Sequence, residues 1–213
     1  MSGAERNVDG SAAFFEVAAR QRACREYTDE PVDDPTVRRL LEAATRAPSA
    51  ENTQPWVFVV VRDPQRRAAI GELTRRAWTQ GARQFSEGRL TPGLLADVEV
   101  GALGGIAAAP VLVVVAGDTR LALEVVLGAS IYPAVQNLLL GATALGLGSA
   151  LTTLPTVAGR ELADLVGLPP EVKALAVVPL GWPARRLGPS RRAPVADKAH
   201  AEVFGVPFTG GEA

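Results

Sequence analysis

Cysteine and histidine, the side chains most often recruited as nucleophile and base, occur once each in this chain of 213 residues. Methionine also occurs once, and aromatic residues make up 5%. The lone Cys24 excludes an internal disulfide and fits a reducing, cytoplasmic setting. The lone His200 lies near the end of the chain, so a Ser-His-Asp or Cys-His arrangement has little to build on. No Cys/His spacing or DxD pattern suggests a metal site, and none is expected. A formal net charge of −1 provides no basic field for nucleic acid and no polybasic segment for lipid. Gly101 to Gly105 and Gly146 to Ser149 are glycine-rich but lack the strand-GxGxxG-helix context of a dinucleotide fold. Chemistry without good protein nucleophiles or bases points to a cofactor that carries it.

Charge is missing altogether from Val125 to Gly159. That run is long enough to suggest a membrane span. It is interrupted, however, by Pro133, Gln136, Asn137 and five glycines, whereas a membrane span normally holds a longer unbroken apolar run with basic flanks. A helix apolar on all sides is a buried one. In a chain of this size, burial all round is easiest if a second subunit covers one face, so this run is expected to form a dimer core.

The length suits one domain. The polar start, MSGAERNVDGSAA, reads as a loose leader over residues 1–10, not a signal peptide. The domain is expected over 11–205, with a tail over 206–213. Helices are expected from Ser11 to Arg22, from an Asp34 cap with Pro35 at the first turn to Ala47, and from Asp63-Pro64 to about Gly81. Further helices are expected within Gly128 to Gly146 and from a Thr156 cap to Gly167. Trp56 to Val61, Pro110 to Ala116 and Val172 to Leu180 read as buried strands, and Ser149 to Thr153 as a short one. Residues 82–105 have weak periodicity and form either a substrate lid or a surface insertion. The arginine-rich tail ends in a short amphipathic segment, Val195 to Phe204. Helices alternating with few strands argue an α+β sandwich with helices on both faces.

The stretch from Ala47 to Val61, APSAENTQPWVFVVV, joins a helix to a strand through a polar turn. Its APS-x-x-N-x-QPW pattern resembles the signature of the FMN-dependent nitroreductase family. Gln21 to Tyr27 resembles that family's R-R-S-x-R-x-F segment. Val135 to Leu140 with Gly146 to Ser149 resembles its central helix, and Pro179 to Pro183 with Arg191 to Pro194 its closing strand and arginine tail. The resemblance runs in order from about Phe14 to Gly205, with Arg76 to Gly105 unmatched.

The resemblance implies an α+β three-layer sandwich, with a mixed, mostly antiparallel sheet flanked by helices, in an intertwined homodimer. It implies tightly bound FMN at each subunit junction, with NADH or NADPH as co-substrate. Reducing equivalents would pass in ping-pong fashion to a nitroaromatic, quinone or similar electron-poor acceptor. No membrane or nucleic-acid partner is implied. The FMN phosphate, at about −1.5 to −2 charge, needs fixed cationic donors. Arg22 and Arg25, at i and i+3, are expected on one side of a turn. By resemblance Arg22 and Arg192 serve the phosphate and ribityl end, with Arg191 beside them. Arg25 lies near N1 and the C2 carbonyl, where a cation stabilises the reduced ring. Pro48, Ser49, Asn52 and Gln54 approach from the second subunit. Thr152, Thr153 and Leu154 lie over the ring, one backbone N–H aimed at N5.

Several departures weaken the match: Gln21 stands for an arginine of the family and Ala23 for its serine, Glu51 adds a negative charge near the phosphate, and Cys24 replaces an apolar residue. One charge and one hydroxyl donor are therefore missing from that segment, and Arg191 could compensate. Two alternatives stay open. One is a flavin-dependent dehydrogenase, oxidase, dehalogenase or flavin-degrading enzyme of the same fold without the nicotinamide step. The other is a non-catalytic flavin-binding or partner-binding dimer.

Overall fold

The computed structural model describes residues 8–208. The first seven residues of the expected leader and the final five of the expected tail, 209–213, lie outside the described residues. Helix α1 spans Val8–Arg20, beginning before Ser11 and ending two residues before Arg22. Helix α2 spans Asp34–Ala44. Its cap is Asp33, not Asp34: the Asp33 carboxylate accepts the Thr36 N–H at 2.9 Å, and Pro35 sits in the first turn. Asp63 repeats the device for α3, Pro64–Ala77, accepting from the Arg66 N–H at 2.8 Å.

Strand β1, Trp56–Val61, occupies the residues expected, but as a half-buried edge strand. It pairs antiparallel with β2, Val111–Asp118. Strand β2 pairs antiparallel with β4, Val172–Gly181, which pairs with β3, Gly148–Ser149. The sheet order is β1-β2-β4-β3. The one parallel element among the described residues is an isolated bridge between Ala23 and Ser149 beyond β3.

Every residue of β2 is buried, because it is central and covered on both faces. Successive side chains alternate between faces. Val111, Val113 and Val115 meet Leu40 of α2 and Ile131, Val135 and Leu138 of the long helix Glu124–Ala144. Leu112 and Val114 meet Ile70 and Leu73 of α3 and Leu162 of Arg160–Val166. The result is three layers with the sheet in the middle, as expected.

Residues 82–105 are largely helical, with a turn over residues 87–91. A wide turn over Trp78–Ala82 leads into α4, Arg83–Ser86, followed by α5, Pro92–Val100. A second wide turn, Gly101–Gly105, ends in α6, Ile106–Ala108. The long helix is then α7 and Arg160–Val166 is α8. Thr156 does not cap α8. It sits in a 3-10 turn, Leu154–Ala158, where its hydroxyl donates to the Thr153 carbonyl at 2.7 Å. Gly167 closes α8 at φ 71°, a conformation that favours glycine.

Among the described residues α7 is the one helix long and apolar enough to cross a membrane. Leu127, Ile131, Ala134, Val135, Leu138 and Ala142 bury one face of it in the core. On the other side Val125, at 88% exposure, continues through Ala129, Tyr132 and Gln136 as an uncharged exposed stripe.

Candidate cofactor site

Beyond Arg20 the chain is extended, because its backbone groups find partners on the sheet. The Cys24 N–H donates to the Ser149 carbonyl at 2.8 Å, beside the Ala23–Ser149 bridge. The Thr28 N–H donates to the Trp182 carbonyl at 2.9 Å, and Ala184 N–H to Glu26 at 3.0 Å. Arg22 and Arg25 therefore do not share a helical turn. The Tyr27 hydroxyl donates to the Cys24 carbonyl at 2.6 Å, and burial holds this phenol well above its ordinary pKa.

The stem of Arg25 lies on the wide turn after α5. A Cβ on Gly101 would come within 2.8 Å of Arg25 Cδ, and one on Gly105 within 2.0 Å of the Arg25 carbonyl oxygen. Burial lowers the Arg25 guanidinium from its ordinary value; Asp97 opposes that shift and Arg22 adds to it. Arg22, Arg25, Asp97, Arg185 and Leu187 line a narrow cavity here. Arg185 bridges Glu26 at 2.8 Å and Asp97 at 3.5 Å.

The tail returns to the same edge. Arg22 Nη1 donates to the Gly188 carbonyl at 3.4 Å, and the Ser190 hydroxyl to the Ala19 carbonyl at 3.1 Å. Arg191 and Arg192 follow directly and are exposed, with Arg192 Nη1 donating to the Arg191 carbonyl. Arginines from opposite ends of the sequence thus approach one edge of the sheet.

Ser149 carries the one buried side-chain oxygen or nitrogen among the described residues that lacks a hydrogen-bond partner. It is 2% exposed. Nearby, the Thr152 backbone exchanges both its hydrogen bonds with Val177, at 3.0 and 2.9 Å. The Leu154 N–H donates to Thr152 Oγ1 at 3.3 Å. Of these three residues, only the exposed Thr153 has no acceptor for its backbone N–H among the described residues.

The loop from Pro48 to Gln54 is elsewhere. Glu51, Asn52 and Gln54 all have φ between 51° and 55°, a conformation that side chains rarely adopt. The loop is tied internally, with Gln54 N–H donating to Ser49 Oγ at 3.0 Å and Gln54 Nε2 to Asn52 Oδ1 at 3.4 Å. It is tied to α7 by Ala50 N–H donating to Ser130 Oγ at 3.1 Å. Asp118 N–H donates to the Pro55 carbonyl at 2.8 Å, which sets the loop at the Asp118 end of the sheet beside edge strand β1. Ser149 pairs with Leu180, and Leu180 with Val111, at the other end and the other edge. Three strand spacings across and about six residues along separate these corners by more than about 20 Å. Within one chain the arginine edge and the polar loop cannot touch the same small molecule.

The nitroreductase family model matches residues 18–182. The chain belongs to the nitroreductase family. An NADH dehydrogenase of Thermus thermophilus is 32% identical over 196 residues, spanning 84% of this chain and 90% of its own. A 5,6-dimethylbenzimidazole synthase of Rhodospirillum rubrum is 31% identical over 190 residues, spanning 82% of each. Among solved structures, a nitroreductase-type protein of Desulfovibrio desulfuricans in complex with FMN superposes with a TM-score of 0.71. It is 29% identical and covers 90% of this chain and 97% of its own. Names this different within the nitroreductase family leave the substrate to be argued from the site.

The residues fit a flavin nucleotide on structural grounds. A buried hydroxyl without a partner, a spare backbone N–H and several arginines lie along one edge. Sequence reasoning missed Asp97 and Arg185. Asp97 lies where periodicity was weak, and Arg185 precedes the arginine pair that the family pattern marks.

Proposed function

We propose that this chain is an FMN-dependent oxidoreductase that takes reducing equivalents from NADH or NADPH and delivers them to an electron-poor acceptor. A nitroaromatic or quinone is the acceptor class this reading favours, with donor and acceptor using one slot in turn. The observation that carries it is the polar, cationic edge at Arg22, Arg25, Ser149 and Thr153 in a chain of this family.

FMN, when bound, supplies the hydride chemistry. Arg22 and Arg192 hold the phosphate end through charge-assisted hydrogen bonds. Arg25 supplies positive charge at the pyrimidine edge of the ring, which favours the reduced state. The Thr153 N–H is the donor toward N5. Pro48, Ser49, Asn52 and Gln54 come from a second copy, since their own chain holds them more than about 20 Å away. The uncharged stripe on α7 supports that dimer. The lone, buried Cys24 suits a cytoplasmic enzyme.

The test is the absorbance spectrum of purified protein reconstituted with FMN, followed by anaerobic addition of each nicotinamide. This reading expects bound flavin that NADH or NADPH bleaches and a quinone or nitroaromatic restores. Bound flavin that neither nicotinamide bleaches contradicts the proposed donor, and failure to bind flavin contradicts the whole reading.

A further inference from the structure

The helical excursion over residues 82–105 matches no signature in the sequence, yet two of its glycines lie directly against Arg25. Asp97, Gly101 and Gly105 are spaced at i, i+4 and i+8, so they share one side of α5 and the turn that follows. The aliphatic stem of Arg25 runs over Gly101, where a Cβ would meet Cδ at 2.8 Å, Cγ at 3.1 Å and Cβ at 3.4 Å. Gly105 admits the Arg25 carbonyl, where a Cβ would stand 2.0 Å from the oxygen. The middle glycine of this turn, Gly104, faces open space, with nothing within 4 Å of a Cβ. Close approach is thus confined to the two glycines that face Arg25. One turn before Gly101, Asp97 lines the same cavity as Arg25 and pairs with Arg185, which also holds Glu26.

We propose that residues 92–105 form the positioning element of Arg25, in which Gly101 seats its stem, Gly105 admits its backbone carbonyl and Asp97 offsets its charge, so that this segment sets flavin affinity and reduction potential. The proposal rests on the flavin reading above. The Arg185–Asp97 pair is too exposed to clamp the helix by itself, with side chains 57% and 41% exposed. Docking comes from the glycine contacts. Asp97 acts through charge: it holds a carboxylate near the Arg25 guanidinium and offsets part of its positive charge.

The two contributions have opposite signs, which makes them separable. Gly101→Ala pushes the Arg25 side chain off its seat, because the side chain is the part free to move. It is expected to weaken FMN binding about tenfold and to lower the reduction potential. Asp97→Asn leaves the seat and removes the offsetting charge. It is expected to raise the ratio of reduced to oxidised flavin affinity about three- to tenfold, and tenfold corresponds to about +30 mV for a two-electron couple. Asp97→Glu restores the wild-type potential, and Gly104→Ala changes neither affinity nor potential. Affinity is read by quenching of FMN fluorescence on titration with apoprotein, potential by equilibration with reference dyes, and folding by circular dichroism. If wild-type protein binds FMN and Gly101→Ala and Asp97→Asn leave affinity and potential unchanged, or move the potential in the same direction, the positioning role is overturned alone. If wild-type protein binds no FMN, the flavin reading falls and the inference with it.

Discussion

Ala23 and Ser149 face each other across a parallel bridge, where the nitroreductase pattern has a serine at position 23 and the buried hydroxyl of Ser149 has no partner among the described residues. Paired residues on neighbouring strands present their side chains on the same face, about 5 Å apart. The hydroxyl missing from one strand is therefore available from its neighbour. Ser149→Ala is expected to weaken FMN binding several-fold while leaving the melting temperature of the apoprotein unchanged or slightly raised, since no internal hydrogen bond is lost. Titration of the apoprotein with FMN, beside a thermal melt, checks both halves.

Arg192 is exposed and spends one donor on its neighbour's carbonyl, so its loss costs the unliganded fold little. If it holds the flavin phosphate, Arg192→Ala removes a charge-assisted bond and weakens FMN binding about ten- to hundredfold. Riboflavin, which lacks the phosphate, should bind wild type and variant alike. An equal loss for both ligands would count against a phosphate contact.

The exposed stripe of α7 offers a test of assembly. Asn137 is a poor probe, because its side-chain amide donates to the Ala43 carbonyl at 3.2 Å and ties α7 to α2 inside the chain. Ala129 lies on the outer face between Val125 and Tyr132. Ala129→Arg places an unpaired charge in the expected seam and should shift the protein from dimer to monomer in sedimentation velocity. A stable dimer for this variant would move the subunit contact elsewhere.

Cys24 gives a pH prediction. Burial is the largest influence and raises its thiol pKa. The folded chain keeps this proton at a pH where the unfolded chain releases it, so Cys24 should subtract stability as pH rises above about 8.5. Cys24→Ser should reduce that alkaline loss. In native protein at pH 8, alkylation of Cys24 should be much slower than in urea, followed by mass spectrometry.

Elements governed by local chemistry were legible in the sequence. The β-branched run from Trp56 to Val61 is a strand at the residues expected, and Asp63-Pro64 caps α3. What escaped depends on distant partners. Arg22 and Arg25 have helical spacing, but Ser149, far along the chain, captures the backbone at Cys24 and extends it. Residues 92–105 showed no apolar stripe because what they seat is the stem of an arginine, on glycine. Neither Asp97 nor Arg185 has a local pattern; their meeting is a product of the fold. The polar loop at Ser49 and Asn52 stands out in the sequence by its composition, but the left-handed backbone at Glu51, Asn52 and Gln54 does not.

The central claim is that each flavin lies between the arginine edge of one chain and the polar loop of another. Subunit mixing tests it most directly. Arg25→Ala and Asn52→Ala proteins, each deficient in FMN binding, are unfolded together, refolded and titrated with FMN. A site shared between copies predicts that about a quarter of sites regain wild-type affinity, because half of the dimers are mixed and each carries one intact junction. No recovery in mixed dimers of demonstrated composition would contradict it.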